Sequence, residues 1–346
     1  MKISAALTIA LAALAFCSSA IAEELQITVA PYSNAEKIIE APTRVLISGE
    51  IDADSPRRLK IVLEKIRNPW ITVFFNSPGG NLLAGLEIGR LLRRQNATTY
   101  VGTYTNNFTP GPGSCFSACA LAFLGGIYRF IPESSKYGVH RASLPSPSRD
   151  DFSNGQLIAA AVGSYIRGMG VDPALVELTM SAGPSGIYML SRAELEQLKV
   201  VNNGRKSPIW TIEVTDGGTY LMGVQDSLYG TGKLIIVCDR KNINLISSYT
   251  AGQKSADIAR GSWVHSLFID EKTVALPPPI RLEAKGDWIY SLFHIPAETL
   301  RLLKNSNSIG HAMQLARSAP TFIGYRIDID DTSRNRFNTY INNCLN

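Results

Sequence analysis

The sequence predicts an α/β half followed by a mostly β, marginally α+β half. Three observations carry this. Before about residue 205, short apolar runs alternate with helical periodicities, the pattern of α/β units with parallel strands. After Ser207 the runs become strand-like and are separated by Gly, Asp and Pro signals such as Asp216-Gly217-Gly218 and Pro277-Pro278-Pro279. The composition, 45% hydrophobic and 18% charged over 346 residues, supplies real cores and excludes disordered, collagen-like and coiled-coil chains.

Residues 1–22 are expected to be an export signal: Lys2 is the positive n-region, Ile3 to Phe16 is apolar, and Ala20-Ile21-Ala22 suits a signal peptidase, with cleavage before Glu23. The apolar run falls short of the roughly 20 residues of a membrane span. Phe16 stands where a lipoprotein signal needs a small residue before Cys17. The expected product is a periplasmic or secreted protein with no stable membrane span, divided into domains 23–204 and 205–346.

In the first of these, Arg44 to Ile51 reads as a strand. Ser55 reads as an N-cap with Pro56 at the first helical position, followed by Leu59, Val62, Leu63 and Ile66 at helical spacing. Ile71 to Phe75 is a second strand. From Asn81, Ala84, Ile88, Leu91 and Leu92 build a helix face, with Gly85 and Gly89 leaving room for close packing. Thr99 to Val101 is a third strand, and Asp172-Pro173 and Ser191 with Glu194 start further helices. The turn-prone Asn202-Asn203-Gly204 is expected to be a protease-sensitive connection. Beyond it, Trp210 to Val214, Tyr220 to Gln225, Lys233 to Cys238, Asn242 to Ser247, Trp263 to Ile269 and Trp288 to Phe293 read as strands, with helical patterns near 297–303 and 334–344. Trp210, Trp263 and Trp288 are expected to fill this half's core.

The net charge of +5 is scattered, which argues against a nucleic-acid partner. Cysteine and histidine lack ligand spacing, so no metal or other cofactor is expected, and His265, His294 and His311 read as structural. Export gives Cys115, Cys119, Cys238 and Cys344 the chance to oxidise. The favoured pair is Cys238 with Cys344, while Cys115 and Cys119 are either a one-turn disulfide or buried thiols.

Chemistry-bearing residues concentrate between Asn76 and His140. Asn76-Ser77-Pro78-Gly79-Gly80 ends a strand and precedes a helix, exposing N–H groups beside a positive helix end. Ser117 opens the apolar helix of Cys115-Phe116-Ser117-Ala118-Cys119, where a plain N-cap is the competing role. His140 follows the short strand Tyr137-Gly138-Val139.

In this order these pieces resemble the proteolytic subunit of the Clp protease within the Clp/crotonase fold, over 45–141 and more loosely to about 202. The Cys-flanked serine also resembles an exported, periplasmic Clp-like group. The resemblance implies that Ser117 is the nucleophile, His140 its base, and Gly80 with Ala118 the oxyanion donors beside Gly79. It also implies a peptide or unfolded-protein substrate and, since relatives form rings or trimers, a homo-oligomer. The triad acid is missing: Gly183-Pro184-Ser185-Gly186-Ile187 precedes Tyr188-Met189-Leu190-Ser191 where the family has a carboxylate. Asp172, Glu194, Ser185 or a backbone carbonyl remain to orient His140. The insertion Thr103 to Gly113 either shapes the cleft or is a solvent loop. Two classes follow: an exported, ATP-independent serine peptidase, or a catalytically weak Clp-like protein serving as an envelope interaction module. An acyl-CoA reaction is a distant third.

Overall fold

The computed structural model describes residues 24–38, 40–104, 110–141, 151–183, 186–239, 242–316, 319 and 321–345. The expected export signal lies outside them. Among them no helix is long and apolar enough to cross a membrane.

The first half runs β1 (Gln26–Val29), α1 (Asn34–Ile38), β2 (Thr43–Ser48), α2 (Ser55–Glu64), β3 (Ile71–Asn76), α3 (Leu82–Arg94), β4 (Thr98–Val101), β5 (Thr103–Tyr104), β6 (Pro110–Gly111), β7 (Ser114–Phe116), α4 (Ala118–Phe123), β8 (Tyr128–Phe130), β9 (Lys136–Val139), α5 (Asp151–Gly168), α6 (Ala174–Ser181), β10 (Tyr188–Met189) and α7 (Arg192–Gln197). The main sheet has the order β1-β2-β3-β4-β8. Its four inner and far strands are parallel, with Val45 beside Val73 and Val73 beside Thr99, and β1 closes one edge antiparallel. Alternation decides the faces: Val45, Ile47, Val73, Phe75 and Val101 are buried in one core with Leu59, Ile88, Leu92 and Ala122 of the helices. Gly85 is needed here, because a Cβ on it would stand 2.4 Å from Ala118 O, so α3 runs hard against the start of α4. A small second sheet, β10-β9-β7, stands at the end of the first, and within it β7 and β9 are parallel. Ser55 does not cap α2: the N-cap is Asp54, and Ser55 Oγ instead accepts from Asp52 N at 3.0 Å. Ser191 and Glu194 form a reciprocal capping box on α7.

The second half runs β11 (Ile209–Thr215), β12 (Gly218–Ser227), β13 (Gly230–Asp239), β14 (Asn242–Thr250), α8 (Ser255–Ala259), β15 (Val264–Ile269), β16 (Lys272–Ala275), β17 (Arg281–Lys285), β18 (Trp288–Ile295), α9 (Ala297–Leu303), β19 (Ser308–Gln314), β20 (Ile323–Asp328) and α10 (Asp331–Leu345). Two antiparallel sheets, β11-β12-β13-β14-β18-β17 and β16-β15-β19-β20, share a separate core with α9 and α10. Asp216-Gly217 is the two-residue turn between β11 and β12, since Thr215 pairs with Gly218. Trp210 is 1% exposed and donates from Nε1 to Asp328 O at 2.8 Å. Trp263 and Trp288 are only half-buried, so they edge this core rather than fill it.

The connection between the halves is pinned rather than loose. Asn202 Nδ2 donates to Ile127 O at 2.8 Å and its Oδ1 accepts from Arg129 N at 2.8 Å, while Lys206 N donates to Asp226 O at 2.9 Å. Turn-prone residues predict a free linker, whereas here Asn202 and Lys206 are each hydrogen-bonded to a flanking segment.

A disulfide joins Cys238, in β13, to Cys344, in α10, across a sequence separation of 106. In the chain-entropy view a loop of this size contributes about 4 to 5 kcal/mol. Cys344→Ser is therefore expected to lower the urea midpoint of the second half; an unchanged midpoint would mean that α10 docks without the bond.

Candidate active site

Strand β3 delivers Asn76 to the edge where the two sheets meet, and the turn after it is fastened on three sides. Ser77 N donates to Ser114 O at 2.8 Å and Phe116 N to Ser77 O at 3.2 Å, while Asn76 Oδ1 accepts from Ser114 N at 3.0 Å, so the turn lies on β7. Ser77 Oγ donates to Gly49 O at 2.6 Å and accepts from Gly79 N at 3.1 Å. Asn81 then caps α3, its Oδ1 accepting from Ala84 N at 3.0 Å. Ser77 is 2% exposed and is the organiser of this turn. In sequence it is one letter of a motif, and only its two hydrogen bonds reveal the role.

Gly79 (φ +103°) and Gly80 (φ +132°) occupy the left-handed side of backbone space. A Cβ on Gly79 would come within 2.5 Å of Phe116 O and 2.7 Å of Ser117 Cβ, so only glycine lets the turn touch the serine. Gly79→Ala is expected to lower any reactivity of Ser117 by about 10²-fold, the scale of an ångström misplacement at a reacting centre. An unchanged rate of active-site labelling in the folded variant would dismiss this contact.

Ser117 sits between β7 and α4 at φ 55°, ψ −122°. A non-glycine residue held there costs on the order of 1–3 kcal/mol and clusters at functional sites. An ordinary N-cap serine is extended and spends its oxygen on a first-turn N–H. Ser117 does neither: it makes no capping bond, and its N–H donates to Gly138 O of β9 at 3.0 Å. Ser117 Oγ makes no hydrogen bond among the described residues. Gly79 N–H is taken by Ser77, but neither Gly80 N–H nor Ala118 N–H donates among the described residues.

His140 follows β9, and since Phe116 pairs with Gly138, Ser117 and His140 leave the same ends of adjacent parallel strands. His140 Nδ1 lies 3.0 Å from Arg141 O. A carbonyl only accepts, so Nδ1 is the donor in this contact, which in the neutral ring leaves Nε2 as the acceptor. Among the described residues no hydrogen bond joins His140 to Ser117 and no carboxylate is bonded to His140. Asp172 Oδ1 instead accepts from Ala174 N at 2.9 Å at the start of α6. Glu194 is held by Ser191 and by the Tyr188 hydroxyl, and these bonds, Ser191's first, keep its carboxyl below the usual range. Ser185 lies outside the described residues. The insertion forms a short hairpin, Thr103 pairing with Gly111, whose Tyr104 packs on Phe74 and donates to Glu36 Oε1 at 2.9 Å. That is the sheet face turned away from α3 and α4; residues 105–109 lie outside the described residues.

Cys115, Cys119, Cys238 and Cys344 form two disulfides, the second joining Cys115 to Cys119 around Ser117. This resolves the choice that spacing left open.

In the first half of the chain, parallel strands, a Ser-Pro-Gly-Gly turn before α3, a serine before α4 and a histidine after β9 follow in the order that the resemblance to the Clp proteolytic subunit implies. No family model matches the sequence, and no curated protein matches it. Among solved structures the chain is similar to ClpP1 from Listeria monocytogenes, with 22% identity over 49% of this chain and 93% of that one and a TM-score of 0.37. It is also similar to the membrane-bound stomatin-specific protease 1510-N, with 17% identity over 45% of this chain and 75% of that one and a TM-score of 0.34. A structure of 1510-N in complex with a substrate peptide matches with 18% identity, 45% and 71% coverage and a TM-score of 0.33.

Proposed function

We propose that the chain is an exported serine hydrolase that cleaves flexible peptides without ATP, with Ser117 as nucleophile and His140 as general base. The observation that carries this reading is the uncommitted Ser117 hydroxyl on a positive-φ elbow, beside two N–H groups with no partner among the described residues. Ser117 Oγ attacks the amide carbonyl as His140 Nε2 takes its proton. Gly80 and Ala118 N–H groups receive the oxyanion, each such donor being worth about 3 kcal/mol in the transition state. Gly79 serves by its lack of a side chain, since its N–H is already engaged. His140 then protonates the departing amine, and water, deprotonated by the same nitrogen, releases the acyl group. The serine–histidine bond forms in the substrate complex, where contacts of this kind tighten. Two disulfides are compatible with an oxidising, extracytoplasmic setting.

A fluorophosphonate probe tests this. The wild type is expected to be labelled, and Ser117→Ala and His140→Ala are not. Absence of labelling from the folded wild type would overturn the hydrolase reading in favour of a binding module.

A further inference from the structure

We propose that the Cys115–Cys119 disulfide is a positioning device for Ser117, one that keeps the serine in its reactive elbow and out of the N-cap conformation; this rests on the hydrolase reading above. The bond runs from the last turn of extended chain to the first turn of α4, with Cα atoms 5.2 Å apart, and Ser117 is the central residue of the ring it closes. Both cysteines are completely buried, so the bond is a fixed part of the core.

Two conformations compete at Ser117. In the relaxed one the residue is extended and its oxygen accepts from the backbone of the first helical turn, as serine at a helix start prefers. That oxygen is then spent, and Ala118 N–H turns with it. In the observed one φ is 55°, the oxygen is free, and the chain reverses within a single residue. Hydrogen bonds hold both flanks, Phe116 N to Ser77 O and Ser117 N to Gly138 O, and Leu121 N reaches Ser117 O only at 3.4 Å. The disulfide adds the one covalent tie across the reversal: while it is intact the Cα atoms of Cys115 and Cys119 stay close, 5.2 Å here, so the strand end and the helix start cannot move apart. Its ring has a sequence separation of 4, against 106 for the other disulfide. A ring this short removes the least freedom from the unfolded chain, which leaves local geometry as its main effect.

The test compares labelling rate constants, which do not depend on how much of a sample is folded. Cys115→Val/Cys119→Ala, with a β-branched residue in the strand and a helix former in α4, is expected to label about 10²-fold more slowly than wild type, with kcat lowered and KM within about twofold. Cys115→Ala/Cys119→Ala provides a second variant should the first pack poorly. Cys344→Ser, which breaks the other bond, is expected to lose stability and keep the wild-type rate constant. A braceless variant that labels within about twofold of wild type would overturn the positioning role and leave the hydrolase reading intact. An unlabelled folded wild type would overturn both.

Discussion

Replacing Ser117 by alanine is expected to abolish fluorophosphonate labelling and to slow peptide hydrolysis by about 10²-fold, against the roughly 10⁶-fold that loss of the nucleophile costs a complete triad. The smaller figure follows from His140. Its Nδ1 is held by Arg141 O, which sets the tautomer but brings no full negative charge to the imidazolium that forms during attack. Loss of the orienting acid costs about 10⁴-fold in a triad enzyme, so about 10²-fold is left for the dyad to lose. His140→Ala should lose the same factor, and the double variant no more, because the two residues act as a unit. Turnover of a fluorogenic peptide by folded variants measures this. A change of less than about threefold in Ser117→Ala would remove the serine from the mechanism, and a drop near 10⁶-fold would mean that a carboxylate completes the site.

Legibility of this chain divides along the range of the forces involved. The turn of Asn76 to Gly80, the helix after Asn81 and the capping box at Ser191 are local chemistry, set by positive φ and side-chain caps within a few residues, and the sequence displays them. Apolar runs such as Ile71 to Phe75 announce buried parallel strands in the same way. Strand β19 was not legible: Ser308, Gly310, His311 and Gln314 interrupt its apolar pattern, yet it is buried from Ile309 to Gln314. The reason is long-range, because His311 finds its partners on β14 and β15. Helix α5 carries Gly155, Gly163 and Gly168, which hide its periodicity, and it is held by the packing of Val162, Tyr165 and Ile166 into the first core. At the site, the residue types of Ser117 and His140 are readable, but the uncommitted oxygen of Ser117 and the anchoring of Ser77 to Gly49 and Ser114 depend on contacts between distant segments that no spacing encodes.

The second half is expected to lose stability steeply below neutral pH, through the histidine pair in its core. His311 is 1% exposed; its Nδ1 lies 2.7 Å from Ser247 Oγ and its Nε2 3.0 Å from His265 Nδ1. Ser247 is in turn 2.9 Å from the Tyr325 hydroxyl, and among the described residues no carboxylate is hydrogen-bonded to this chain of polar groups. Burial first, and then the charge of His265, push His311 down to about 3 from the ordinary 6.5. Burial also lowers His265. Since the folded values lie below the unfolded ones, the unfolded chain takes up protons first as the pH falls. Stability is therefore full above about pH 6.5 and declines by about 1.4 kcal/mol per pH unit for each such histidine until the folded state protonates. For His311 alone this amounts to roughly 2 kcal/mol between pH 6.5 and 5. The carboxylates with lowered values in this half, Asp226, Glu283 and Asp330, lose their contribution as the pH falls through about 4.5 and below, so the interval from 6.5 to 5 chiefly reads the histidines. Urea midpoints measured at pH 7.5 and 5 are the readout. His311→Gln should be less stable at pH 7.5 but show a flatter decline, because one proton is removed from the linkage. A wild-type midpoint that stays constant across this interval would show that the pair is solvated or already charged, and the acid sensitivity would have to be withdrawn.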